Sequence, residues 1–390
     1  MKSTRKLPAI RLGLARFVAF HGLALLMIVL ALHVAKPVCQ ADPTHRSIEL
    51  RGLHAYTDRE SVPAGDVIRF HVSSQVPYRF QVTRLGLRVD ERSSDETILL
   101  ADKESSAHVQ PIHPGSYVRV KNGLPADAEL NALTLECWVR PWKLKPWQGI
   151  LTQHDYPDRC GYGLFLDAEG RAVFSIGSGG MFEQDSLMIG PKLNRRQWHH
   201  LVGVWNGTTK TAAIWVDGKH AAEWQATGKF LPRRAGPAEL RIGAYSDRDV
   251  IGRFFDGDIA MPAIYTRALP GDEIIERFST RGLKEPNLKD PALAAFWPLD
   301  EEQGVKVRDV SRNRRDGEII NLGTWMIGGP SFEGGSIGRY DTNYDPEADS
   351  DRGHGLRLAS DDLYDCGWKA AETFHVPKNA KTGIYAAWFN

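Results

Sequence analysis

The clearest strand pattern in the chain is Arg195 to Trp224, RRQWHHLVGVWNGTTKTAAIWVDGKHAAEW. Trp198 to Trp205 reads as one strand, Asn206-Gly207 as the start of a turn, and Thr211 to Val216 as the returning strand. Asp217-Gly218 then makes a second hairpin turn, because both residue types tolerate the positive φ that two-residue loops need. Trp198, Val202 and Val204 fall on one face of the first strand, and Leu201 and Trp205 on the other. A strand that is apolar on both sides belongs in the middle of a packed sandwich.

Strand patterns also occupy both ends of the chain. Ile48 to Tyr56, Val67 to Ser73 and Arg79 to Gly86 alternate, with a turn at Pro63-Ala-Gly-Asp66 and a polar loop at Ser93 to Thr97. Residues 42–113 therefore predict the first part of an immunoglobulin-like sandwich, but with too few strands to close it, since about seven are usual. Beyond a glycine-rich stretch (Gly328 to Gly338) and an acidic one (Asp341 to Asp351), His354 to Leu358, Phe374 to Pro377 and Thr382 to Phe389 again read as strands. The last two are expected to pair with residues 48–86. Residues 323–390 would then be the second part of the split sandwich, with everything between inserted into it.

Lys2, Arg5, Lys6, Arg11 and Arg16 precede an apolar run from Val18 to Ala35, and Cys39-Gln-Ala41 follows. Residues 1–41 have the layout of a signal peptide, or of an uncleaved anchor just long enough to span a membrane. Either places the body outside the cytoplasm, as a periplasmic, secreted or anchored protein, and only this segment would touch a membrane. The leader carries six of the 49 Lys and Arg and no acid, leaving 43 basic against 48 acidic residues, a net of −5. Nothing in that balance suggests a nucleic-acid partner, and none is expected. Three cysteines remain, and Cys137 and Cys160 fall on successive predicted strands. A disulfide between them is open in an exported chain, as is simple burial. No CxxC or paired-His spacing suggests zinc.

The Trp-His-His-Leu-Val strand with its Ile-Trp-Val-Asp-Gly-Lys hairpin resembles the laminin G-like, concanavalin A-type jelly roll. Leu133 to Pro141 resembles its early strand, and Phe255 to Ile259 with Ile264 to Leu269 and Glu273 resembles its closing strand and short helix. Ala294 to Gly304, Asp309 to Asn313 and Asp316 to Glu318 look like the opening of such a domain, displaced to its end. Residues 114–322 are accordingly expected to form one jelly roll, with 294–322 supplying a permuted strand. The fold class is then all-β, a concanavalin A-like (laminin G-like) jelly-roll sandwich inserted into a split immunoglobulin-like β-sandwich.

The order of these pieces, with Ala55 to Arg59, Ala64-Gly-Asp66, Tyr78 to Gly86, Pro111 to Tyr117 and Asp361 to Trp368, resembles the large subunit of N,N-dimethylformamidase and its relatives. The resemblance implies an amidohydrolase whose iron, held by tyrosine and glutamate, sits in an α/β domain. That domain is expected to lie outside this chain, in a separately encoded half, so no catalytic residue is carried over and no cofactor is assigned here. Calcium on the jelly-roll rim is an open expectation, attached to no residue.

Other chemistry leaves few candidates. The two-carboxylate spelling of jelly-roll glycanases is absent; Asp256-Gly-Asp258 is the nearest acidic pair and reads as a loop or turn. Asp361, Asp362 and Asp365 with His354 have the residue types of a hard-cation cluster, but adjacent acids on a strand point opposite ways and favour a solvated turn. His199 and His200 sit on the central strand, one expected to be buried and hydrogen-bonded. Trp142 and Trp147 flank a Lys- and Pro-rich loop, where exposed aromatics stack on sugars and packed ones do not. No nucleophile elbow, Walker loop or dinucleotide fingerprint stands at a plausible place. The sequence thus predicts a non-catalytic binding or scaffold region, or else a self-sufficient module recognising a glycan or protein.

Overall fold

The computed structural model describes residues 45–88, 91–100, 104–124, 130–156, 160–178, 187–227, 239–247, 250–333 and 344–390. The expected leader and Cys39 lie outside these residues, as does 334–343 from the glycine-rich and acidic stretches. Four strands come first: β1 (Leu53–Thr57), β2 (Val67–Ser74), β3 (Phe80–Arg84) and β4 (Glu96–Leu100). Then follow β5 (Tyr117–Val120), β6 (Ala132–Pro141), β7 (Gln148–Tyr156), β8 (Cys160–Leu166), β9 (Arg171–Ser178), β10 (Leu187–Lys192) and β11 (His199–Asn206). β12 (Thr211–Val216), β13 (Lys219–Gln225), β14 (Leu240–Ile242), β15 (Tyr245–Asp247), β16 (Val250–Gly252) and β17 (Gly257–Tyr265) continue the series. The helix α1 (Gly271–Ser279) precedes β18 (Leu293–Phe296), β19 (Lys306–Val307), β20 (Gly317–Ile320), β21 (Thr324–Ile327) and β22 (His354–Leu358). β23 (Ala370–His375) and β24 (Tyr385–Phe389) close the chain.

Two large sheets make the jelly roll. One runs β10-β9-β8-β7-β14-β5-β20-β19, with β15 on β7 and β16 on β15; the other runs β13-β12-β11-β6-β17-β22-β21, with β18 on β17. Between them lies the main core, including Leu133, Leu135, Leu201 and Trp205 from one sheet and Ile150, Tyr162, Leu164 and Phe174 from the other. The central hairpin forms as its pattern demands: Leu201 pairs with Val216 and Asn206 with Thr211. Asp217 and Gly218 turn it at φ 52° and 70°. Gly203 lets the two layers close, since a Cβ there would fall 2.4 Å from Phe174 Cδ2. The outer face of β11 is covered too. Val202 and Val204 pack with Tyr265, Leu269, Ile274, Leu293 and Phe296, so α1 and β18 form a lid over this sheet. Asp272 and Glu273 in the first turn of α1 and Arg277 in its last suit the helix dipole.

The displaced opening segment does fill this jelly roll. β18 pairs with β17, and β20 pairs with β5 inside the other sheet. The boundary at 322 needs correction, however. β22 pairs with β17 and β21 with β22, so 324–327 and 354–358 extend the eight-stranded sheet and do not join the smaller sandwich.

That smaller sandwich has two three-stranded layers, β1-β2-β23 and β24-β3-β4. The C-terminal strands pair with the N-terminal ones as expected: Phe70 lies opposite Glu372, and Phe80 opposite Phe389. Phe70, Val72, Tyr78, Phe80, Val82 and Phe374 form its core. The Asp361–Trp368 segment is the crossing point from the jelly roll. Trp368 Nε1 donates to Pro111 O at 2.9 Å, and Gln110 bonds both the N–H (2.8 Å) and the C=O (3.0 Å) of Lys369. Tyr56 stacks on His71 with ring centroids 4.7 Å apart, and its hydroxyl accepts the Trp368 N–H.

The bridge considered between Cys137 and Cys160 is corrected as well. Cys137 is a free, buried thiol. It sits opposite Leu201 in the eight-stranded sheet, whereas Cys160 begins a strand of the other sheet. Stacked sheets lie about 10 Å apart, beyond disulfide reach. The Cys160 side chain is outside the described residues.

Candidate functional site

The charged chemistry of the jelly roll is concentrated on the outer face of its eight-stranded sheet. On adjacent strands, His200 and Glu136 meet beneath α1. The His200 Nε2–Glu136 Oε1 distance is 2.9 Å, and Arg277 Nε and Nη2 reach the same carboxylate at 2.8 Å. All three side chains are buried. Trp138 sits against His200 (4.8 Å) and stacks on Phe278 of the helix (5.9 Å). Burial alone would raise the Glu136 carboxyl, but the His200 hydrogen bond and the Arg277 charge bring it down to about 2. Buried beneath the helix, the three side chains have no access to substrate or water. The Glu136–Arg277 pair, with His200 bonded to the same carboxylate, ties the helix to the sheet.

His154 is shifted in the same sense by another cause: burial pushes it down to about 4, against a smaller upward pull from Asp247. Both groups bind protons more weakly folded than unfolded, so stability is complete above the unfolded values and lost on acidification. Between pH 6.5 and 4 the His154 contribution goes, and between 4.5 and 2 that of Glu136. Each is worth about 3 kcal/mol at full titration. Urea midpoints should accordingly drop from pH 7.5 to 4.5 and again to 3, and His154→Gln should flatten the upper limb. Equal midpoints at 7.5 and 4.5 would defeat this account.

A second row lies further along the same face. Asp258, fully buried on β17, pairs in register with Arg140 on β6 and Arg357 on β22. It accepts from Arg140 Nε (2.7 Å), Arg357 Nε (2.8 Å) and Trp142 Nε1 (2.6 Å). The guanidinium carbons of Arg357, Arg196 and Arg140 stand 4.4, 5.4 and 6.0 Å from the Trp142 ring. Asp256 turns to a different set, Lys145 Nζ at 3.0 Å and the Ser360 N–H at 2.8 Å. The Asp256-Gly-Asp258 pair is thus two separate anchors for surrounding cations. Trp142 is part-buried within its arginines, and Trp147, at φ 54°, packs against Phe165, Val173 and Tyr245.

His199 imitates a catalytic dyad. Its Nδ1 lies 2.8 Å from Asp217 Oδ2, while Asp217 Oδ1 accepts the His200 N–H at 2.9 Å. The Asn194 N–H, however, donates to His199 Nε2 at 3.1 Å. The Asn194 C=O lies 3.3 Å from the same nitrogen, so in either tautomer Nε2 is engaged by the backbone and is not free to serve as a general base. The four residues suggested as a cation cluster are dispersed: Asp361 reaches Lys143, Asp362 accepts from Ser116, Asp365 from Tyr56, and His354 meets Glu302. Among the described residues no three His, Cys, Asp or Glu side chains converge in a way that could hold a metal ion.

Sequence reasoning missed the buried triad, although a single acid inside Leu133-Thr-Leu-Glu-Cys-Trp-Val139 was the available signal. It missed Arg277 and Arg357 because their partners are 141 and 99 residues away.

Residues 114–275 match the family described as the concanavalin A-like lectin/glucanases superfamily, and this part of the chain is a concanavalin A-like domain. Over most of its length the chain is also similar to the N,N-dimethylformamidase beta subunit. It is 24% identical to that of Paracoccus aminophilus over 385 residues and 25% identical to that of an Alcaligenes species over 383. Each alignment covers 87% of this chain and 47% of the relative, so the chain spans about half the length of the curated relatives it matches. The heptameric SAP-like pentraxin of Limulus polyphemus superposes with a TM-score of 0.35 at 14% identity, over 54% of this chain and 86% of its own.

Proposed function

We propose that this chain is the non-catalytic scaffold and recognition half of an N,N-dimethylformamidase-like large subunit. In this reading amide hydrolysis is carried by an iron-bearing domain made of other residues, corresponding to the part of the relatives that this chain does not match. The observation that carries it is the uneven coverage, 87% of this chain against 47% of each relative. It is supported by the way the acids and histidines just described are committed to structural pairs, which leaves none of them poised as acid, base or nucleophile. In the same reading the body lies outside the cytoplasm, which the leader pattern of residues 1–41 supports. Because the relatives are named as beta subunits, a separately encoded partner belongs to the proposal.

The test is to purify the full chain alone and with the polypeptide encoded beside it, then assay dimethylformamide hydrolysis and iron content. The chain alone should show neither turnover nor stoichiometric iron, and the pair should co-purify and show both. Turnover by the chain alone would overturn the reading. So would an active neighbour that never associates with it.

A further inference from the structure

The two sheets of the jelly roll meet along one side. There β10, the last strand of one sheet, faces β13, the last strand of the other. Between them lies a groove of about 560 Å³, within the usual range of small-molecule sites (~300–1,000 Å³). We propose that this groove binds a small molecule carrying an oxyanion, carboxylate or phosphate, on a body with an apolar face and a hydroxyl or amine donor.

The walls specify that chemistry. Lys192 and Lys219 reach the groove from its two sides, one from each sheet. Among the described residues neither ammonium has a carboxylate partner, whereas neighbouring His220 is paired with Glu223 at 3.4 Å. Leu193, Val216 and Ala221 contribute an apolar floor. An oxyanion held there would be shielded from water on one side, and its attraction to the two ammoniums would be stronger than on an open surface. At the back, Asp217 is oriented by His199 Nδ1 and the His200 N–H yet stays one-third exposed, leaving its carboxylate able to accept from a ligand hydroxyl or amine. His199 itself is closed by the Asn194 N–H, so the groove binds without performing acid–base chemistry.

The backbone is shaped at the same place. β10 slips register between Ile189 and Lys192, and the β12–β13 pairing slips at Ile214/Trp215. Bulges at sheet edges re-aim side chains and end pairing, and they recur beside binding sites. Gly190 lets β10 pack closely on its neighbours: a Cβ there would stand 3.2 Å from Val216 Cγ2 and 3.6 Å from Ala221 Cβ. The proposal is independent of where amide hydrolysis resides.

Titration calorimetry on the full chain at low salt tests it with galacturonate, glucose 6-phosphate and neutral glucose. At least one anion should bind, with glucose at least about tenfold weaker, since one charge-assisted contact is worth roughly that factor. Galacturonate alone would identify a carboxylate site, glucose 6-phosphate alone a phosphate site, and both a general oxyanion site. The exposed pair Lys192→Gln/Lys219→Gln should leave the unfolding midpoint unchanged and weaken binding about a hundredfold, two such contacts. Failure of both anions to bind, or binding that survives the double variant, overturns the proposal.

Discussion

Glu136→Leu is expected to lower the unfolding free energy by about 3–5 kcal/mol, because it leaves a buried charge without its counterion. The stranded group is Arg277, whose guanidinium is buried beneath the helix and has Glu136 as its ion-pair partner. His200 loses its acceptor in the same step. Replacing both charges, Glu136→Leu with Arg277→Met, should recover much of the loss, since an apolar pair of similar volume has no charge to desolvate. Urea unfolding followed by tryptophan fluorescence measures both, with Trp138 beside His200 as a local reporter. A loss below about 1 kcal/mol for the single variant would place the triad among pairs of negligible worth. A double variant no better than the single would show that packing, not charge, holds α1 down.

Asp258→Ala should cost about 3 kcal/mol, somewhat less than the first variant, because Arg357 retains access to water. The carboxylate is the common acceptor for Arg140, Arg357 and the Trp142 indole. Without it, the arginines around that ring repel one another with no compensating anion. The deficit should therefore shrink as salt is raised, which screens the repulsion between partly exposed charges. Asp258→Asn keeps an acceptor but not the charge, and should fall between wild type and alanine. Guanidinium chloride would mask the salt effect, so urea with graded sodium chloride is the measurement. An alanine variant whose deficit ignores salt would mean that the carboxylate acts through hydrogen bonding alone.

The central hairpin was legible because its pattern is local. Apolar residues on both faces of 199–206 and Asp217-Gly218 determine a buried strand and a turn without reference to the rest of the chain. The pairing of 370–389 with the first strands was also legible, since an N-terminal unit short of strands must be completed from elsewhere. The position of β21 and β22 was not. Both are short, with burial patterns that fit either sandwich, and which sheet edge stands vacant is a property of the assembled fold. Trp142 shows the same limit. Its sequence context offers an exposed aromatic, while the three guanidinium groups around it come from β6, β22 and the loop before β11. The groove between β10 and β13 was invisible for a related reason: its two lysines face each other only because two separate sheets end side by side.

The smaller sandwich has a further consequence, for the order in which the protein is made. Tyr78 and Glu372, which share a hydrogen bond, are 294 residues apart, and Phe80 waits for Phe389. At about 5–20 residues per second, some 15–60 s separate the synthesis of the first strands from that of their partners. Throughout that interval each layer of the smaller sandwich holds only its two N-terminal strands and lacks β23 or β24, while the jelly roll is completed strand by strand. The first strands translated are therefore among the last to be completed, and it is there that the nascent chain most needs protection.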